Sequence, residues 1–132
     1  MSELMYQVTT KKSVDEAVEA VGAALKNHQF GVLWDLDINT KLTEKGIAPE
    51  PPFRILEVCS APRAKQALTT NQAVGYFLPC KVLVYKDRAS DTTRIGYAKP
   101  AALMGLLGDT RLDELARDVD HLLKQAVDEA AE

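Results

Sequence analysis

Gly75-Tyr76-Phe77-Leu78-Pro79-Cys80-Lys81-Val82-Leu83-Val84-Tyr85 decides the reading of this chain, together with Ile55-Leu56-Glu57-Val58-Cys59-Ser60-Ala61-Pro62 one short helical run before it. Each stretch carries one of the chain's two cysteines: Cys59 ends an apolar strand and Cys80 begins another. Ile55 and Leu56 are apolar on both faces of a strand spanning Phe53 to Cys59, which places that strand in the interior of a sheet. Ser60 suits a helix N-cap, and Pro62 falls in the first helical turn, where a missing N–H costs little. A short helix through Ala64, Ala67 and Leu68 follows. The bond between Leu78 and Pro79 is a candidate for the cis form, the minority state of X–Pro bonds.

Working outward, Leu4 to Thr9 alternates as a short strand. Ser13-Val14-Asp15-Glu16 is a capping box, and Val14, Ala17, Val18, Val21, Ala24 and Leu25 follow it at helical spacing. From Val32 the period becomes two. Val32, Trp34, Leu36 and Ile38 are expected to face the core, and Leu33, Asp35, Asp37 and Asn39 the solvent. Thr40 to Lys45 has room for one or two helical turns before Pro49, Pro51 and Pro52 interrupt regular structure. Downstream, strands from Leu78 to Lys86 and from Thr92 to Ala98 flank the polar turn Asp87–Asp91, a hairpin pattern. Ala101 to Leu107 is a short apolar segment. The last helix starts at Asp109 or Thr110 and carries a stripe of Leu112, Leu115, Ala116, Val119, Leu122, Leu123 and Ala126. This order predicts one α+β domain over residues 1–132, with a sheet of about five strands and the long first and last helices on one face.

Composition bounds the function classes. The 132 residues are 46% hydrophobic and 27% charged, the balance of a soluble globular domain. The formal charge is −3 and no basic run exceeds Lys11-Lys12, so no concentrated basic face points to nucleic acid. Met1 to Tyr6 lacks the basic and apolar regions of a secretory leader, and no stretch approaches a membrane span. Two cysteines form no disulfide framework, which favours a reducing cytoplasm.

The candidate chemistry gathers around the cysteines. A helix beginning after Ser60 would turn its unpaired N–H groups toward Cys59 and favour thiolate; the ordinary alternative is a buried small hydrophobe. Glu57 interrupts an apolar strand two residues before Cys59 and on the same face. Asp35 and Asp37 share a strand face and, with Glu57, would line an acidic groove. His28 and His121 read as exposed helical residues, so no base is in reach of a nucleophile. Zinc needs about four ligands, and no Cys-x-x-Cys or histidine cluster supplies them. No glycine-rich phosphate cradle occurs. No metal or cofactor is expected.

The two cysteine stretches, with Phe30-Gly31-Val32 upstream and Gly105-Leu106-Leu107-Gly108-Asp109 downstream, resemble domain-of-unknown-function family 302 over almost the whole chain. The Leu78-Pro79-Cys80 segment is the most specific part. Ser60-Ala61 stands where the family prefers Asn with a directly following Pro, and Lys81 where it prefers Asn. The resemblance implies a two-layer α+β sandwich, a curved and mainly antiparallel sheet with helices on one face, similar to the TATA-binding-protein arrangement. It implies no activity, and a shared fold does not import DNA binding.

Two functions from different classes follow. The first is a self-associating module, a homodimer, that binds a small ligand or partner near Glu57, Cys59, Ser60, Cys80 and Lys81. The second is a thiol carrier of redox or sulfur-transfer chemistry that uses Cys59.

Overall fold

The computed structural model describes residues 3–132; Met1 and Ser2, the start of the segment read for a leader, lie outside the described residues. The chain runs β1 (Met5–Thr10), α1 (Val14–Lys26), β2 (Gly31–Asp37), α2 (Ile38–Glu44), β3 (Phe53–Cys59), α3 (Ala61–Thr70), a 3-10 segment (Gln72–Phe77), β4 (Cys80–Lys86), β5 (Thr93–Ala98), α4 (Pro100–Gly105), a second 3-10 segment (Thr110–Leu112) and α5 (Asp113–Ala131). The strands form one five-stranded sheet in the order β1-β5-β4-β3-β2. Every neighbouring pair is antiparallel. This is the α+β sheet with helices on one side that the sequence predicts.

Alternation within the strands sets the two faces. Leu56 and Val58 of β3, Val82 and Val84 of β4, and Ile95 of β5 are completely buried. They meet α1 and α5, which contribute Val21, Leu25, Leu123 and Val127, also completely buried. A fully buried side chain of this size is worth roughly 1.5–3 kcal/mol relative to exposure. The two helices also pack on each other, and the core buries the small residues Ala17, Ala116 and Ala126. Polar ties then fix α5 against the β1–β5 half of the sheet. Tyr6 Oη donates to Asp128 at 2.6 Å, Thr10 Oγ1 to the Ala131 carbonyl at 2.9 Å, and Tyr97 Oη to the Asp120 carbonyl at 3.1 Å.

Local signals act where the sequence places them. The Ser13 hydroxyl accepts from the Glu16 N–H at 3.1 Å, and the Glu16 carboxylate accepts from the Ser13 N–H at 2.9 Å, so the capping box is complete. Between β1 and β5 the backbones approach so closely that a Cβ at Gly96 would lie 2.8 Å from the Tyr6 carbonyl oxygen. The peptide between Leu78 and Pro79 is cis.

Trp34 corrects the sequence reading. It is 49% exposed and lies on the face away from the helices, not in the core. A bulge between Val32 and Trp34 breaks the alternation. Val32 pairs with buried Val58 on the helix side, the extra residue Leu33 stands 63% exposed, and Trp34 falls opposite Glu57 on the other side. Asp35 and Asp37 consequently face the helix layer, opposite Leu56 and Arg54. There Arg54 receives Asp35: its Nε and Nη2 donate to the two Asp35 carboxylate oxygens at 2.9 and 2.6 Å, and Nη1 donates to Asp15 of α1 at 2.7 Å, while Asp37 accepts from the Asn39 N–H at 3.0 Å and caps α2. A period-two pattern cannot reveal a bulge, because one inserted residue exchanges the faces of everything beyond it.

Leu123→Ala is expected to lower stability by roughly 2–5 kcal/mol, a cavity in the helix–sheet core, while Ser13→Ala costs about 1 kcal/mol by loss of the cap. Urea denaturation followed by circular dichroism measures both. Equal losses would show that Leu123 does not carry the helix–sheet contact.

Candidate functional site

The end of β3 and the start of β4 lie side by side. Val58 is opposite Cys80, and Glu57 is opposite Lys81. Glu57 therefore has a plain reason to interrupt an apolar strand: Lys81 Nζ donates to its carboxylate at 2.8 Å. Cys80 shares the helix-side face with Val58, whereas Glu57 and Lys81 stand on the opposite face.

Ser60 hands β3 over to α3. It is buried and occupies the N-cap position, yet its side chain makes no capping bond to the helix backbone. Its hydroxyl instead accepts from Arg63 Nη1 at 3.3 Å. Arg63 also donates from Nε to Asp118 of α5 at 2.9 Å and covers the Phe30 ring, with its guanidinium carbon 6.0 Å from the centroid. Ser60 thus anchors an arginine clamp between α3 and α5 and leaves the first turn of α3 without a side-chain cap.

Both thiols are shifted away from reactivity. Burial pushes the Cys80 thiol up to about 11, with Cys59 and Asp120 adding to the effect and Lys81 opposing it. Burial also raises Cys59 above its ordinary value. The thiolate-favouring environment expected for Cys59 is absent: desolvation governs that sulfur, and the start of α3 does not reverse it. At neutral pH both residues are thiols, poor nucleophiles.

Two spaces surround the pair. Cys59, Ser60, Cys80, Arg63, Met104 and Leu115 border an inner cavity of about 20 Å³, near the minimum for one water. On the outer side of Cys80 lies a cleft of about 170 Å³. The 3-10 segment and the cis-proline turn form one wall of it, from Tyr76 to Pro79, and Ala98, Pro100, Leu103 and Met104 form the other, with Lys81 at its margin. Leu78, Cys80 and Met104 border both spaces.

The structure thus joins Cys59, Ser60 and Cys80 around the inner cavity and brings Lys81 to the cleft, while Glu57 reaches the cleft only through Lys81. It does not assemble an acidic groove, because Asp35 and Asp37 lie across the sheet from Glu57. His28 is a further correction. It sits in the turn after α1, half-buried, with Nε2 3.1 Å from the Glu129 carboxylate. His121 is exposed on α5. Sequence reasoning missed the cleft's second wall, since the apolar run after Pro100 announces a helix but not what it docks against.

It also missed Asp120. One carboxylate oxygen accepts from the Ala101 N–H at 3.0 Å and so caps α4. The other is buried with no hydrogen-bond partner among the described residues. Burial raises this carboxyl's pKa, partly offset by the Ala101 bond and by Lys99.

A family model described as a domain of unknown function, DUF302, matches residues 6–130. The chain belongs to the DUF302 family. A solved structure of an uncharacterized conserved DUF302 protein from Bacillus stearothermophilus is 39% identical, with 98% of each chain covered and a TM-score of 0.91. No curated protein matches the chain significantly. The DUF302 relationship accounts for the sheet order and the helix layer, and leaves the chemistry of the site to be argued from its residues. Among the described residues no helix is long and apolar enough to cross a membrane.

Iodoacetamide at pH 7 is expected to label both cysteines more slowly than a free thiol, Cys80 the more slowly, with Cys80 labelling rising only as the pH nears 11. Mass spectrometry of Cys59→Ser and Cys80→Ser variants assigns the signals. Fast labelling of folded Cys59 at pH 7 would restore the thiol carrier.

Asp120 makes a second testable contribution. Its folded pKa is raised, so the folded state holds the proton more tightly than the unfolded chain. Its contribution is therefore most favourable below the unfolded value of about 3.9 and declines as pH rises through the folded value. The stability of Asp120→Asn relative to the parent chain should accordingly increase between pH 4 and pH 7, measured by urea denaturation across that range. A pH-independent difference would show that the buried oxygen is not desolvated.

Proposed function

We propose that this DUF302 chain is a noncatalytic binding module whose ligand is a small, mainly apolar molecule with a neutral polar group, held in the cleft over Cys80. The observation that supports this reading is the lining itself: Leu78, Leu103 and Met104 offer aliphatic and thioether surface around about 170 Å³. An aliphatic cavity of roughly 150 Å³ accepts a benzene ring, so the space suits one ring or a short alkyl chain. Methionine adapts its shape to such a guest and makes favourable sulfur–aromatic contacts.

Among the described residues Lys81 provides the one cationic side chain bordering this cleft, and Glu57 already engages it. An anionic ligand would have to compete with that carboxylate, whereas a neutral hydroxyl or carbonyl can share the ammonium's remaining donors. The two raised thiols count against a carrier of thiol chemistry. Cys80 serves here as a small, soft wall.

Phenol is a suitable probe. Titrating it into protein labelled with 13C at the methionine methyl groups should shift the Met104 methyl signal saturably, by the ring current of the bound molecule. Leu103→Trp, which fills the cleft, should abolish the shift. A Met104 signal that does not move, or one that moves equally in the filled variant, would remove this reading.

A further inference from the structure

The chain has two cysteines and three methionines, and three of these sulfur-bearing residues border one space. Cys59 from the end of β3, Cys80 from the start of β4 and Met104 from α4 come together at the inner cavity of about 20 Å³. Strand register brings the two cysteines close: Val58 lies opposite Cys80, and Cys59 is the next residue along β3. Apart from Ser60 and Arg63, the rest of the lining is aliphatic or aromatic. Among the described residues no carboxylate and no imidazole borders this space.

The donor set decides what such a space can hold. Hard cations take oxygen ligands, and zinc closes about four positions, which two cysteines leave half empty. That count does not reach copper(I), a soft ion that prefers thiolate and thioether sulfur and is satisfied by about two or three of them. The size agrees, since a cavity near the minimum for one water takes a single ion and excludes an organic guest. We propose that Cys59, Cys80 and Met104 form a three-sulfur site for one copper(I) ion per chain. Binding forms two copper–thiolate bonds and one copper–thioether bond and breaks the two S–H bonds. Both protons leave to solvent and the metal stays copper(I), so no oxidant or reductant takes part.

The surroundings suit the charge. Copper(I) with two thiolates carries one net negative charge, and Arg63 borders the same cavity. Its guanidinium is held there by Asp118 at 2.9 Å and by the Ser60 hydroxyl at 3.3 Å. That hydroxyl accepts from Arg63, which leaves its own hydrogen to point at a thiolate sulfur. Ser60 is buried at an N-cap position without capping the helix, and a metal-bound thiolate gives its hydroxyl a partner. Met104 is unbranched, so its thioether can swing to the ion. The protonated state of both thiols at neutral pH is no bar, because a coordinating thiol is deprotonated by the ion itself. The ion lies in the inner cavity, so the site does not depend on a guest in the cleft.

The test uses the full chain, reduced and without oxygen. Copper(I) is titrated against bathocuproine disulfonate, a coloured chelator of that ion, and native mass spectrometry should count one copper per chain. A pH indicator should report about two protons released per copper. X-ray absorption at the copper edge should show sulfur as the only neighbouring element. Cys59→Ser and Cys80→Ser should each weaken binding about a hundredfold or more, and Met104→Leu about tenfold. Circular dichroism checks that each variant is folded, and Cys80→Ala stands in where a buried hydroxyl unfolds the chain. Leu103→Trp, which fills the cleft and abolishes the phenol signal, should leave copper binding unchanged. A parent chain that takes no copper from the chelator, oxygen or nitrogen neighbours at the metal, or full binding without either cysteine would each overturn the proposal. Loss of copper in Leu103→Trp would overturn it too, by placing the ion in the cleft.

Discussion

Everything in this molecule depends on the burial of one side of a five-stranded sheet beneath two helices. The strands supply the fully buried row Leu56, Val82, Val84 and Ile95, and the helices answer with Val21, Leu25 and Leu123. That contact has no substitute elsewhere in a domain of this size, so the remaining elements are arranged around it. The capping box starts α1 at the right residue. Tyr6, Thr10 and Tyr97 pin α5 to the β1–β5 half of the sheet, and the Arg63 clamp ties α5 to α3. Burial supplies the energy, and these directional bonds choose among the ways two helices might lie across the strands.

The candidate site arises where that core runs out. At the junction of β3 with α3 and at the start of β4, the backbone changes direction twice within a few residues, and the side chains there are half in and half out of the core. Cys59 and Cys80 belong to this margin. Their burial is sufficient to suppress the thiolate, and their softness fills space that a larger residue would distort. The cleft lies at the same margin, between α4 and the turn that leads into β4.

Much of this was legible in the chain itself. The capping box, the helical stripes, the hairpin about Asp87–Asp91 and the cysteine segments gave the element order, and their resemblance to the DUF302 pattern gave the architecture. The failures have physical causes. Trp34 was assigned to the core because a bulge leaves no mark in an alternating pattern. Asp35 and Asp37 read as a solvated face because nothing local announces that Arg54, nearly twenty residues later, pairs with Asp35, or that the bulge turns both toward the helix layer. The pairing of Glu57 with Lys81 depends on strand register, and the cleft on where α4 docks. Tertiary placement decides both.

One wall of this protein serves two rooms. Leu78, Cys80 and Met104 divide the small space beside Ser60 from the larger cleft. Any drift in those three side chains that reshapes the cleft also reshapes the space beside the arginine clamp. The shape of the cleft and the packing behind it are consequently inherited together. Residues that border the cleft alone, Leu103 and Pro100 among them, can vary and leave the partition as it is.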